Sequence, residues 1–159
     1  MKILFLVITL LSSLFSDMKF TETKYLSALD METTKQGSMK IDDNSFTITY
    51  IKPTKEIITY LEDKLTLQND KEELKEYTYE KHPKLEYFGL LLRSIVNDSY
   101  ENLDNMFNIK DELNKKILTA KSSISGTIDY IEVLKKDNKL SSIILYMINK
   151  DIITIETIN

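Results

Sequence analysis

Asp42-Asp43-Asn44-Ser45-Phe46-Thr47-Ile48-Thr49-Tyr50-Ile51-Lys52-Pro53 is the stretch that decides the fold class. It opens on small polar residues, and Asn and Asp turn a chain because they hydrogen-bond their own backbone and tolerate left-handed conformations. Phe46, Ile48 and Tyr50 then alternate with Thr47 and Thr49, which is the period of a half-buried strand with one apolar face. Lys52-Pro53 breaks the run.

Moving outward, the same grammar repeats. Residues 38–41 alternate, residues 31–37 are polar and turn-like, and residues 20–29 suit a first strand or a short helix. On the other side residues 56–61 resume, Glu62-Asp63-Lys64 turns, Leu65-Thr66-Leu67 alternates, and residues 74–81 place Tyr77 and Tyr79 on one face. Short strands recurring about every 8–12 residues between polar turns indicate an antiparallel meander.

The period changes at Pro83, a residue that a helix accepts in its first turn. Leu85, Phe88, Leu91, Leu92, Ile95 and Val96 recur at helical spacing. Gly89 costs such a helix about 1 kcal/mol relative to Ala, which the apolar face must offset. A second short helix is expected over residues 100–106. Strands return at residues 116–118, 128–134, 140–148 and 152–158, with turns at 122–126, 135–138 and 149–151. Two meanders around one helical segment imply a single mainly β (α+β) domain, a curved sheet with helices over one face. Its concave side is either filled by side chains or holds a ligand.

The N-terminus reads Met1-Lys2, an apolar run over residues 3–11, then Ser12-Ser13-Leu14-Phe15-Ser16 before Asp17. One cation, an apolar run and a small-residue end make a secretory signal peptide over residues 1–16. The run is shorter than the roughly 20 apolar residues of a membrane-spanning helix. Export to the periplasm and a single domain over residues 17–159 are the expectation.

Composition closes several routes to chemistry. The 159 residues contain no Cys, which excludes disulfide scaffolds, thiolate metal sites, cysteine nucleophiles and a lipidated N-terminal cysteine. A single His excludes a His-rich metal centre. The formal charge of −4, with acids and bases interspersed as in Lys71-Glu72-Glu73-Leu74-Lys75-Glu76, argues against nucleic acid as a partner. His82 precedes Pro83 without a Ser or Asp arrangement and reads as a turn or capping residue. Gly37, Gly89 and Gly126 are isolated, so no phosphate loop exists. No catalytic residue, metal or cofactor is expected, and the chain does not read as an enzyme.

Phe20-Thr21-Glu22-Thr23-Lys24-Tyr25-Leu26 followed by Gly37-Ser38-Met39-Lys40-Ile41 resembles the opening of the periplasmic lipoprotein carriers related to LolA. The aromatic strand ending in Pro53, then Glu56-Ile57-Ile58-Thr59-Tyr60-Leu61, Leu65-Thr66-Leu67 and Leu90-Leu91-Leu92-Arg93-Ser94-Ile95, follows in the same order. The resemblance spans most of residues 18–158. It implies an incomplete, strongly curved antiparallel β-barrel with helices covering its open side and an apolar interior. That interior would hold acyl chains of lipoproteins or other lipids, taken from an inner-membrane release complex and given to an outer-membrane acceptor. The soluble carrier is expected to be a monomer. Zero Cys favours it over the lipidated acceptor. The shorter chain, the absence of Trp and the acidic turn before Phe46 depart from the family pattern and leave room for another lipid as cargo. On this reading residues 85–96 form a lid that turns Phe88, Leu91, Leu92 and Ile95 towards the cavity. Phe46, Ile48 and Tyr50 form its floor, with Ile58, Tyr60 and Tyr79 beside them. The remaining alternatives are a non-catalytic envelope accessory module whose concave side is packed, and a secreted enzyme, which would require two close acids in a polar cleft.

Overall fold

The computed structural model describes residues 17–121 and 126–158. The expected signal peptide, and most of the turn expected at residues 122–126, lie outside the described residues.

The chain forms β1 (Met18–Leu26), β2 (Met31–Asp42), β3 (Ser45–Lys52), β4 (Glu56–Tyr60), β5 (Lys64–Gln68) and β6 (Leu74–Thr78). Helix α1 (Pro83–Val96) and a 3-10 turn (Glu101–Leu103) follow. Then come β7 (Phe107–Glu112), β8 (Lys115–Ala120), β9 (Ile128–Lys136), β10 (Lys139–Met147) and β11 (Ile152–Thr157). All eleven strands join one sheet in the order β6-β5-β4-β3-β2-β1-β11-β10-β9-β8-β7. Each neighbouring pair is antiparallel. The two meanders meet where β1 pairs with β11, with Phe20 opposite Thr157 and Tyr25 opposite Ile152.

Local chemistry accounts for the turns. Asp137 and Asn138 both have positive φ (52° and 60°), the conformation that matches a two-residue hairpin to strand twist. The Asp43-Asn44 turn reverses the chain without positive φ. Arg93 Nη2 donates to the Asp42 and Asp43 carbonyls (3.3 and 3.2 Å), so the end of α1 is tied to that turn.

One face of the sheet carries the core. Phe20, Met39, Phe46, Ile48, Leu118, Ile131, Val133, Ile143 and Leu145 are buried there, together with Leu91, Leu92 and Ile95 of α1. Gly37 admits Phe20: a Cβ at Gly37 would lie 2.3 Å from the Thr49 carbonyl oxygen and 3.1 Å from the Phe20 ring.

The expected barrel is overturned. The sheet is open, its edges β6 and β7 do not pair with each other, and a single α-helix stands among the described residues where helices over an open side were expected. Closure needs edge-to-edge hydrogen bonds. Both edges are short and charged, with Lys75 and Glu76 on β6 and Lys110, Asp111 and Glu112 on β7, features that oppose further pairing. The second helix expected over residues 100–106 shrinks to one 3-10 turn. Leu103, Met106 and Phe107 are buried without a longer helix. Residues 31–37, read as a turn, belong to β2, where Thr33 and Thr34 sit opposite Lys24 and Thr23.

Candidate functional site

The site grows from one close approach. A Cβ on Gly89 would lie 2.2 Å from Cδ1 of Tyr60, so the middle of α1 rests on the Tyr60 ring because residue 89 has no side chain. Tyr60 stacks in turn on Phe46, with ring centroids 5.9 Å apart. Toward its N-terminus α1 overhangs β4, β5 and β6. An open groove of about 750 Å³ remains there, floored by Ile58, Tyr60, Leu65, Leu67 and Tyr77 and overhung by Leu85 and Phe88. Lys81, His82, Pro83 and Lys84 form its rim. Phe88 and Lys84 also border a smaller hollow of about 120 Å³, completed by Tyr87, Leu91, Met106, Phe107, Thr127 and Ile128. Phe88 therefore stands between two apolar spaces.

The floor follows from strand register. Ile58 lies opposite Leu67, Tyr60 opposite Leu65, and Leu65 opposite Tyr77, so alternate residues of β4, β5 and β6 share the face under α1. His82 occupies the position before α1 but makes no side-chain capping bond. Its ring meets Tyr77 edge-on at 5.5 Å and so braces the groove wall.

The residues expected to line a cavity divide into three groups. Ile58, Tyr60 and Phe88 do border the groove, and Phe88 and Leu91 border the smaller hollow. Ile48, Tyr50, Leu92 and Ile95 are buried in the packed core. Phe46 and Tyr79 border, with Tyr60, a separate recess of about 170 Å³ at Gly89 and Arg93. Tyr79 is held there by donating to the Leu61 carbonyl at 3.1 Å. Leu65, Leu67, Tyr77 and Leu85 line the groove and were not among the expected set. Their signal was present in the alternation of Leu65 and Leu67 around Thr66, and in Leu85 on the apolar stripe of the helix.

The tyrosines set the electrostatics of the inner face. Burial, followed by the Glu22 carboxylate, holds the Tyr50 hydroxyl well above the usual phenol range. That hydroxyl donates to Glu22 Oε2 at 2.6 Å. Lys35 Nζ sits 4.5 Å from the Tyr50 ring centroid and 3.9 Å from Glu56 Oε2. Burial, then the neighbouring Tyr79, raises Tyr60 as well. Both phenols are neutral across the physiological range; the Tyr60 ring lies against α1 at Gly89, and the Tyr50 ring meets Phe20 edge-on at 5.7 Å. Tyr50 is committed to this polar cluster and does not line the groove.

Among the described residues no group of three His, Asp or Glu side chains could hold a metal ion. No described helix is long and apolar enough to cross a membrane. The arrangement suits non-covalent capture of an apolar chain, with Lys81 and Lys84 exposed at the rim to meet an anionic head. No protein-family model matches the chain, and no curated protein matches it significantly.

Proposed function

We propose that this protein is a lipid carrier that holds acyl chains, of lipoproteins or of another lipid, in the groove beneath the N-terminal half of α1. Following the resemblance to LolA-like carriers, it works as a monomer in the periplasm, between an inner-membrane release complex and an outer-membrane acceptor. It performs no covalent chemistry and needs no cofactor. The observation that carries the reading is the groove itself: about 750 Å³ bordered by Ile58, Leu65, Leu67, Tyr77, Leu85 and Phe88. Its size falls in the range of roughly 300–1,000 Å³ that ligand pockets occupy.

The energetics suit a carrier. Burying an acyl chain contributes about 0.8 kcal/mol per CH₂, so a fully enclosed chain of about 16 carbons would gain on the order of 12 kcal/mol and would not leave. An open groove covers only part of the chain and keeps release feasible. The test is uptake of a fluorescent fatty acid by purified protein. Leu67→Glu, which puts a charge on the half-buried floor, lowers uptake about tenfold or more, as an unpaired charge among apolar walls requires. Undiminished uptake by a folded Leu67→Glu protein overturns the assignment.

A packed accessory module is the second reading, favoured by the burial of Ile48, Leu92 and Ile95, each at most 3% exposed. Mass spectrometry of protein purified from its native envelope separates the two, because the module carries no lipid.

A further inference from the structure

The exposed large apolar side chains are unevenly placed. Leu29 sits in the turn between β1 and β2, Met31 directly follows that turn, Ile148 sits in the turn between β10 and β11, and they are 67%, 45% and 52% exposed. The two turns are tied together. Ser27 N donates to Asp151 Oδ1 at 2.9 Å, and Ser27 Oγ donates to the Asn149 carbonyl at 2.8 Å. Ile148 N donates to the Thr127 carbonyl at 3.1 Å, and Thr127 borders the smaller hollow beside Tyr87 and Phe88. The apolar tips thus lead by direct contacts to a space next to the groove. The up-and-down order of the strands puts the exposed Ile51 and Leu74 at this same end.

We propose that this end of the sheet is a membrane-docking rim, with Leu29, Met31 and Ile148 entering the interfacial layer of a lipid bilayer and setting the hollow against its acyl chains. The proposal rests on the carrier reading and adds the surface from which chains enter. A bilayer fits better than a protein partner. Three side chains on two turns fall far short of the roughly 20–30 residues a side of a standard protein interface. A bilayer accepts separate apolar tips, and binding grows with each apolar area inserted. The charges of the two turns nearly cancel, with Asp30 and Asp151 against Lys150. The carboxylates are engaged locally: Asp30 accepts from the Tyr25 hydroxyl at 2.9 Å, and Asp151 accepts from Ser27 N and Asn149 Nδ2. Docking therefore does not depend on anionic lipid.

The chain contains no Trp, so one introduced Trp reports alone. Leu29→Trp and Ile148→Trp are compared with Leu113→Trp, a 91% exposed position in the turn between β7 and β8 at the opposite end of the strands. With phosphatidylcholine vesicles, emission at positions 29 and 148 shifts to the blue and is quenched by lipid-borne quencher, while position 113 stays as in water. No shift at 29 and 148, or an equal shift at all three, overturns the rim. A soluble protein that protects position 29 when vesicles do not also overturns it. In the Trp-free chain, Leu29→Glu with Ile148→Glu lowers vesicle co-sedimentation about tenfold, since binding scales with inserted apolar area. Fatty-acid uptake from solution is unchanged in that variant, because neither residue lines the groove. Failure of the carrier reading has a different signature: the parent protein takes up no fatty acid even though it sediments with vesicles.

Discussion

In the half of the sheet formed by β7–β11, Leu118, Ile131, Ile143 and Leu145 are 0% exposed. In the half formed by β4–β6, Ile58, Leu67 and Tyr77 are only partly buried and border the open groove. Both halves turn apolar residues to the same face, so hydrophobicity does not separate them. Strand length does. β9 and β10 have nine residues each and supply several inward positions, whereas β4, β5 and β6 have five each and supply two or three. Helix α1 then crosses the short strands, seated at Gly89 on Tyr60 and tied by Arg93 to the turn between β2 and β3. The comparison teaches that an apolar space persists in a folded domain where short strands pass beneath a helix, without any deficit of apolar residues.

The largest effect should appear on truncating the closed half. Leu145→Ala leaves a void that its neighbours cannot fill and costs about 2–5 kcal/mol. Leu67→Ala on the groove floor, already facing open space, costs roughly 1 kcal/mol of lost burial. Denaturant unfolding of the two variants measures the gap directly. Equal losses would mean that the groove floor is packed like the core and that the two halves do not differ.

Next in size is the anchor. Gly89→Ala should gain about 1 kcal/mol of helix propensity. Its Cβ, however, would lie 2.2 Å from the Tyr60 ring, and displacing that ring costs about 1–3 kcal/mol by overpacking. A lower Tm is expected, partly rescued in Gly89→Ala with Tyr60→Leu, where the ring that the new Cβ would meet is gone. A higher Tm for Gly89→Ala alone would show that α1 is not seated on Tyr60.

Much of this contrast was legible in the residues, and the illegible part has physical causes. The alternation Phe46-Thr47-Ile48-Thr49-Tyr50 became β3 with its three large residues buried, and the helical spacing after Pro83 became α1. β7 escaped because an edge strand with Asn108, Lys110, Asp111 and Glu112 lacks a strong apolar alternation. The β2 start escaped because Met31-Glu32-Thr33-Thr34 is exposed, so its strand character lies in pairing with β1 and not in burial. For the site, alternation shows which residues face inward but not which inward residues are then covered. Ile48 and Ile58 are opposite neighbours on one face, yet one is buried in the core and the other borders the groove. Only the path of α1 decides between them.

A smaller effect tests the closed half at high pH. Burial, then the nearby Asp98 and Asp111, pushes the Tyr100 hydroxyl up from 10.0 to about 12. Among the described residues that hydroxyl is buried without a hydrogen-bond partner, with Lys116 Nζ 5.0 Å from the ring centroid. The folded state therefore holds this proton longer than the unfolded chain does. Its contribution to stability is complete below pH 10 and is lost as pH rises through about 12. Unfolding at successive alkaline pH values should show that decline, and Tyr100→Phe should flatten it. An unchanged decline in Tyr100→Phe would assign it to Tyr50 and Tyr60, whose hydroxyls are raised further.

A modest change in stability falls on the residue between the two apolar spaces, where the carrier reading expects its sharpest functional consequence. Phe88 is partly buried, so Phe88→Ala loses roughly 1–1.5 kcal/mol, about half the value of a fully buried Phe. Its ring borders both the groove of about 750 Å³ and the hollow of about 120 Å³. Removing it joins them into one longer trough. On the proposed carrier function, each additional buried CH₂ contributes about 0.8 kcal/mol, so the variant should favour long acyl chains over short ones more strongly than the parent protein does. Competition between fatty acids of graded length against one fluorescent probe reads this slope. A steeper slope in Phe88→Ala makes Phe88 the partition that limits chain length. An identical slope would mean that the chain never reaches the ring, and the open half of the sheet would then owe its space to short strands alone.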